Sequence, residues 1–184
     1  VNLLKDIIIH PQAFFLDEEI CLIKDFLPEE IFNSILEITN NATVSDWDKF
    51  NPNSNGQWAH NILEFNNELS KIVGSLIKKV FNGEPYDFSC NFIRRNRHGQ
   101  DLLLHYDRQS QKSCEYGLVL YLNDNYEGGE IYYPNRSIEY KPIKNSLVVH
   151  SSSEEYTHGV KTVNGNSRYY ITLWAFYNNK ELGF

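Results

Sequence analysis

The sequence predicts a mainly β fold with flanking helices: a jelly roll over residues 86–184, with N-terminal α-helices packed on one of its sheets. Three observations carry this. The apolar period changes from 3.6 to 2 near residue 86. Beyond that point, eight short β-rich runs are separated by turn residues, the spacing of a sandwich or barrel. No βαβ alternation occurs, which disfavours a parallel doubly wound sheet.

The elements follow in order. Pro28, Glu29 and Glu30 suit a first helical turn, because Pro gives up an N–H that has no partner there and the carboxylates meet the positive dipole end. Ile31, Ile35 and Ile38, with Phe32 and Leu36, then make an apolar stripe to about Thr39. Residues 40–60 are polar and rich in Asn, Pro, Gly and Ser, so they read as a loop. Its Trp47 and Trp58 are either a lid over a site or anchors to the core. A second helix is expected from Asn61, a capping residue with Glu64 three positions on, to Val80. Phe65, Leu69, Ile72, Val73, Leu76 and Val80 form its buried face, and Gly83 and Pro85 end it. The β-rich runs then cover 87–94, 100–106, 116–123, 129–134, 137–142, 145–150, 157–163 and 167–177.

The chain has 184 residues, enough for a single domain with a sizeable core. It reads as 1–85, a helical support region, and 86–184, the jelly-roll core. Aromatic residues are 14% of the total, which argues against disorder, collagen and coiled coil. No apolar run approaches the length of a membrane span. The start, VNLLKDIIIHPQ, lacks the basic, apolar and small-residue order of a signal peptide. Cys21, Cys90 and Cys114 are too few and scattered for a disulfide framework or a zinc knuckle, so reduced thiols in a cytoplasmic protein are expected. A net charge of −7 disfavours a nucleic-acid partner. Residues 94–112 are the local exception, with Arg94, Arg95, Arg97, Arg108 and Lys112 against Asp101 and Asp107. They are either a basic rim for an acidic substrate or a solvated face.

Chemistry enters at His105-Tyr106-Asp107. In a strand, residues two apart share a face, so an imidazole and a carboxylate converge there. Alone this is weak, because with 6 His and 24 acidic residues chance supplies about one such match. Its weight comes from His158, in Thr157-His158-Gly159-Val160 at the head of another run. Two His and one carboxylate form the facial triad that holds non-haem Fe(II) and leaves positions open. A structural zinc site would need four closed ligands, usually thiolates, which these cysteines do not supply. Ten residues on comes Arg168. Period-2 alternation puts Arg168, Tyr170, Thr172, Trp174 and Phe176 on one strand face and Tyr169, Ile171, Leu173 and Ala175 on the other. If the first set faces inward, a buried guanidinium needs a partner that its strand lacks, and a bound carboxylate gripped bidentately would serve.

These segments together (LHYD at 104–107, GLVLYLND at 117–124, the Gly-Gly-Glu turn at 128–130, THGV at 157–160 and RYYITLWAFY at 168–177) resemble the Fe(II)- and 2-oxoglutarate-dependent dioxygenases, and within them the prolyl 4-hydroxylase-like group. The resemblance runs from about Phe88 to Tyr177. It implies a double-stranded β-helix with His105, Asp107 and His158 as iron ligands and Arg168 as the residue binding the far carboxylate of 2-oxoglutarate. Tyr121 matches a tyrosine that assists that grip, and Thr172 and Trp174 match positions lining the cofactor and substrate end of the pocket. One departure stands out: where many members place a tyrosine three residues before the glycine matching Gly99, this chain has Asn96. Fe(II), 2-oxoglutarate and dioxygen are the implied cofactors, with ascorbate an optional accessory. The implied reaction is hydroxylation of an unactivated C–H, foremost of a prolyl residue in a peptide or protein. A free amino acid, another small molecule or a nucleobase is the alternative substrate. A non-enzymatic jelly-roll binder and a hydrolytic Zn or Mn site are further alternatives, but neither needs Arg168.

Overall fold

The computed structural model describes residues 3–48, 62–64, 67–82, 86–89 and 92–178. The helices are α1 (Leu4–Ile7), α2 (Glu29–Asn41), α3 (Val44–Asp48) and α4 (Asn67–Val80). Strands β1 (Ala13–Asp17), β2 (Ile20–Ile23), β3 (Ile62–Glu64), β4 (Tyr86–Ser89) and β5 (Phe92–Asn96) precede β6 (Leu102–His105) and β7 (Cys114–Tyr121). After these come β8 (Glu127–Gly128), β9 (Ile131–Tyr133), β10 (Ile138–Tyr140), β11 (Ser146–Ser151), β12 (His158–Val160), β13 (Val163–Asn164) and β14 (Arg168–Tyr177). The main antiparallel sheet runs β1-β2-β11-β7-β14-β5-β3, with β4 also paired to β14. A smaller sheet runs β10-β9-β12-β6, and β13 and β8 form a short ribbon. Mainly β architecture with two facing sheets is the jelly roll the period predicts.

The N-terminal third differs from the expected helical support. The first helical stripe is confirmed as α2, but β1 and β2 form a hairpin that joins the main sheet through β11. All four residues of β2 are buried, Cys21 and Ile23 on one side and Ile20 and Leu22 on the other. A strand covered on both faces is a continuous apolar run, and its period cannot be told from that of a short helix. The second helix starts at Asn67 rather than Asn61, because Ile62–Glu64 extend the sheet by pairing with β5. Residues 61, 65 and 83–85, which carried the expected cap, part of the buried face and the helix end, lie outside the described residues.

Period-2 alternation holds along the three central strands. Ile171, Leu173 and Ala175 of β14, Leu118 and Leu120 of β7, and Leu147 and Val149 of β11 face one way. They pack with Phe32 and Ile35 of α2 and Val73, Ile77 and Val80 of α4 into the main core. The helices therefore brace the outer face of the sheet and leave its inner face to the smaller sheet. Ile171 is fully buried in this outer core. Ile171→Ala should cost about 2–5 kcal/mol in urea unfolding through the cavity left behind, without touching the inner face.

Candidate active site

The inner face of the main sheet is built in rungs across β11, β7 and β14. Ser146, Tyr121 and Tyr170 are cross-strand neighbours, then Val148, Val119 and Thr172, then His150, Gly117 and Trp174. Rungs two residues apart are ~7 Å apart along the strands. A cavity of about 360 Å³ lies over them, with Arg168, Tyr121 and Tyr170 lining one end and His105, Asp107 and His158 the other.

The smaller sheet supplies the two histidines. His105 ends β6, His158 opens β12, and the two are directly paired in register. Their ring centroids are 4.5 Å apart. Asp107 converges on them, though not by strand alternation as the sequence suggests. It begins a 3-10 turn, Asp107–Gln109, because the chain leaves the sheet at Tyr106. One ligand atom from each of His105, Asp107 and His158 lies within 4.8 Å of the others.

The donor set fits a divalent metal. His105 Nδ1 pairs with the Leu103 carbonyl at 2.8 Å, and His158 Nδ1 with the Tyr156 carbonyl at 3.0 Å. A carbonyl only accepts, so Nδ1 carries the proton in each ring and Nε2 keeps its lone pair for a metal. Trp174 Nε1–H donates to Asp107 Oδ1 at 3.0 Å. Asp107 Oδ2 is buried without a hydrogen-bond partner. Burial alone would raise the Asp107 carboxyl, but His150, His158 and the Trp174 indole hold it well below the usual carboxylate range. Burial, reinforced by the neighbouring His150, pushes the His158 imidazole well below its ordinary value. The site thus keeps an ionised carboxylate and a neutral imidazole, the forms in which these groups ligate metals.

Gly117 makes room for this. A Cβ there would collide with Asp107 Oδ2 and His150 Nε2, so the carboxylate sits in the notch left by the missing side chain. Gly117→Ala should weaken Co(II) binding by at least about 10-fold in a spectroscopic titration, since displacing the groups around a ligand costs about that much.

At the far end, Arg168 is 2% exposed, with its guanidinium 4.3 Å from the centroid of the Tyr170 ring and 5.1 Å from that of Tyr121. The partner its own strand lacks comes from the adjacent one. Asn96, opposite Arg168 in register, accepts a hydrogen bond from Nη1 at 2.6 Å through Oδ1. The residue that departs from the family pattern thus orients the guanidinium. Arg168 Nε and the hydroxyls of Tyr121, Tyr126, Tyr140 and Tyr170 remain buried without hydrogen-bond partners. So many orphaned donors around one cation would be costly unless a ligand with several acceptors met them, as a carboxylate does. Gly129 (φ 68°) lets the chain pass close against the Tyr126 ring beside Arg168, where a Cβ would come within 2.7 Å of that ring. Thr172 lines the cavity in the rung it shares with Val119, between the two ends. Trp174 lines it too, but its N–H is committed to Asp107, so it serves the metal end.

Other sequence features resolve differently. The basic segment is not one rim: Arg94 lines the cavity beside Trp174, whereas Arg95 stacks on Trp47 at 4.4 Å. Arg108 is tied to the Cys114 carbonyl and to Glu115. Trp47 is 3% exposed against Tyr169, so it anchors its segment to the core. Trp58 and Cys90 lie outside the described residues. Cys114 opens β7 and is buried. In the sequence, His150 ends its strand and is the histidine outside the motif best placed to approach the site, but neither it nor Gly117 has a role there, and Asn96 is only a departure. The signals that expose them are cross-strand, Gly117 facing both His150 and Trp174, and Asn96 facing Arg168.

Residues 90–176 match the family model described as the 2OG-Fe(II) oxygenase superfamily, a span that contains every candidate residue above. No curated protein matches the chain significantly. Among solved structures, a prolyl hydroxylase from Trichoplax adhaerens, in complex with a hypoxia inducible factor oxygen degradation domain peptide fragment, is 25% identical. It superposes with a TM-score of 0.67 over 90% of this chain and 87% of its own. A Pseudomonas putida prolyl-4-hydroxylase is similar at 20% identity and a TM-score of 0.65, covering 87% of this chain and 93% of its own. A viral collagen prolyl hydroxylase from Paramecium Bursaria Chlorella virus-1 gives 16% identity and a TM-score of 0.65, with 87% and 96% covered.

Proposed function

We propose that this chain, whose residues 90–176 match the 2OG-Fe(II) oxygenase superfamily model, is an oxygenase of that kind and hydroxylates an unactivated C–H of a prolyl residue in a peptide or protein. The observation that carries the oxygenase reading is one cavity with a two-His, one-carboxylate cluster at one end and a buried, incompletely partnered arginine at the other. The prolyl reading is supported by the Trichoplax adhaerens prolyl hydroxylase, which covers nearly the whole chain and holds a peptide.

In this reading His105 and His158 hold Fe(II) through Nε2 and Asp107 through its carboxylate. Iron held there would activate dioxygen, with 2-oxoglutarate as the reductant that supplies two of the electrons. The chain's own residues bind, orient and shield. Arg168 and Tyr121 grip the far carboxylate of the cosubstrate, and Asn96 keeps the guanidinium in the plane that the grip needs. Val119 and Thr172 line the span between the two ends, where methylene groups need only small neighbours. Tyr121 and Tyr170 close the deep end against water, which keeps each polar contact strong.

The test has two parts. Anaerobic titration of the metal-free protein with Fe(II) and 2-oxoglutarate should produce the weak visible charge-transfer band of a chelated 2-oxo acid. Proline-containing peptides should then gain one oxygen atom, matched by succinate formation. No band at saturating ligand would remove the oxygenase reading, and a band with no peptide oxidation would remove the prolyl one.

A further inference from the structure

His150 is a buried titratable group beside the metal set that neither that set nor the cosubstrate grip uses. It is 1% exposed at the inner face of β11, and its surroundings are unusually specific. Nδ1 is paired with the Tyr133 hydroxyl at 2.6 Å. Nε2 lies 3.1 Å from Asp107 Oδ2. Close as this approach is, it does not make a well-formed hydrogen bond, and Oδ2 is left without a hydrogen-bond partner. The ring also packs against His158, with centroids 4.3 Å apart. Tyr133 is fully buried, and a phenol there keeps its proton. The carboxylate facing Nε2 can only accept, so the ring's own hydrogen belongs on Nε2, which leaves Nδ1 to accept from the Tyr133 hydroxyl.

The register explains why this meeting is built in. His150, Gly117 and Trp174 form one rung across three adjacent strands. The Asp107 carboxylate comes down over the glycine in the middle, between two N–H-bearing rings. Trp174 hydrogen-bonds Oδ1 from one side, and His150 flanks Oδ2 from the other. A carboxylate so bracketed is hindered from turning about its Cβ–Cγ bond, and Oδ2, which makes no hydrogen bond, keeps its lone pairs for a metal.

We infer that His150, held by Tyr133, is a positioning residue that fixes the Asp107 carboxylate with Oδ2 free for the metal. The inference rests on the oxygenase reading of the same site, and Co(II) binding separates the two. Co(II) alone is titrated into metal-free wild-type protein and into the His150→Phe, His150→Gln and Tyr133→Phe variants, with affinity and visible spectrum recorded. Thermal unfolding of each metal-free protein is measured alongside.

His150→Phe should bind Co(II) about 10–100-fold more weakly, the usual consequence of losing a group that orients a ligand. The spectrum at saturation should be unchanged, because the ligand set is the same. His150→Gln, which keeps an N–H on a flexible side chain, should recover part of the affinity. Tyr133→Phe should lose less than His150→Phe, in the same direction, and it carries the test if His150→Phe does not fold. Wild-type affinity in a folded His150→Phe or Tyr133→Phe would overturn the inference while leaving the oxygenase reading intact. A changed spectrum at saturation in His150→Phe would also overturn it, since it would make His150 a fourth ligand. Failure of the wild-type protein to bind Co(II) would overturn the oxygenase reading and this inference together.

Discussion

Asp107→Ala should abolish tight Fe(II) binding, weakening it by well over the about 100-fold that loss of an orienting partner can cost. The carboxylate is the only anionic member of the cluster, and a divalent ion held by two neutral imidazoles and water has lost its one full opposite charge. The surroundings sharpen the effect. Removing the carboxylate leaves the Trp174 indole N–H without its acceptor and leaves His150 facing an empty notch over Gly117. A hydrogen bond to a charged group contributes about 1.5–3 kcal/mol, so the metal-free variant should also unfold at lower denaturant than wild type. Equilibrium titration with Fe(II) under anaerobic conditions checks the first effect, and a urea melt the second. Unchanged iron affinity would mean that the metal sits elsewhere.

Arg168→Ala should raise the 2-oxoglutarate concentration needed for half-maximal succinate formation by at least about 30-fold, with Fe(II) affinity little changed. Losing one partner of a buried charge pair costs about 2–5 kcal/mol, or roughly 30-fold to several-thousand-fold in affinity. Iron affinity is spared because Arg168 lies six residues along β14 from Trp174, at the opposite end of the cavity from the metal cluster. Lysine is a poor substitute. It offers a point charge, whereas here Asn96 takes one guanidinium N–H and leaves the rest of a planar fork for the ligand. Tyr121→Phe removes a single hydrogen bond to a charged acceptor, about 1.5–3 kcal/mol, so its effect should be the smaller of the two. If Arg168→Ala keeps the wild-type half-saturation point, the cosubstrate grip lies elsewhere in the cavity.

Much of this was legible in the chain itself. Alternation along 168–177 correctly separates Arg168, Tyr170, Thr172 and Trp174, which line the cavity, from Ile171, Leu173 and Ala175, which enter the core. The order His105, Asp107, His158, Arg168 points to one metal and one carboxylate, and the fold brings the four to a single cavity. Where local pattern misled, a tertiary partner was responsible. Ile20–Ile23 and Ile62–Glu64 are strands because β11 and β5 offer them backbone hydrogen bonds, and nothing in the segments themselves records that offer.

What the sequence determined by itself is therefore the set of chemical groups and the face of the strand each one takes, because both follow from residue type and from a period of two. Which groups meet was decided by the tertiary structure. His150, Gly117 and Trp174 lie on three strands far apart in the chain and share a rung only because β11, β7 and β14 pair in one register. Asn96 reaches Arg168 by the same means. A register shift of one residue would reverse every face, and that register is set by burial of the whole outer core against α2 and α4. The contacts that bracket Asp107 and hold Arg168 are thus a property of strand pairing that no motif in the chain spells out.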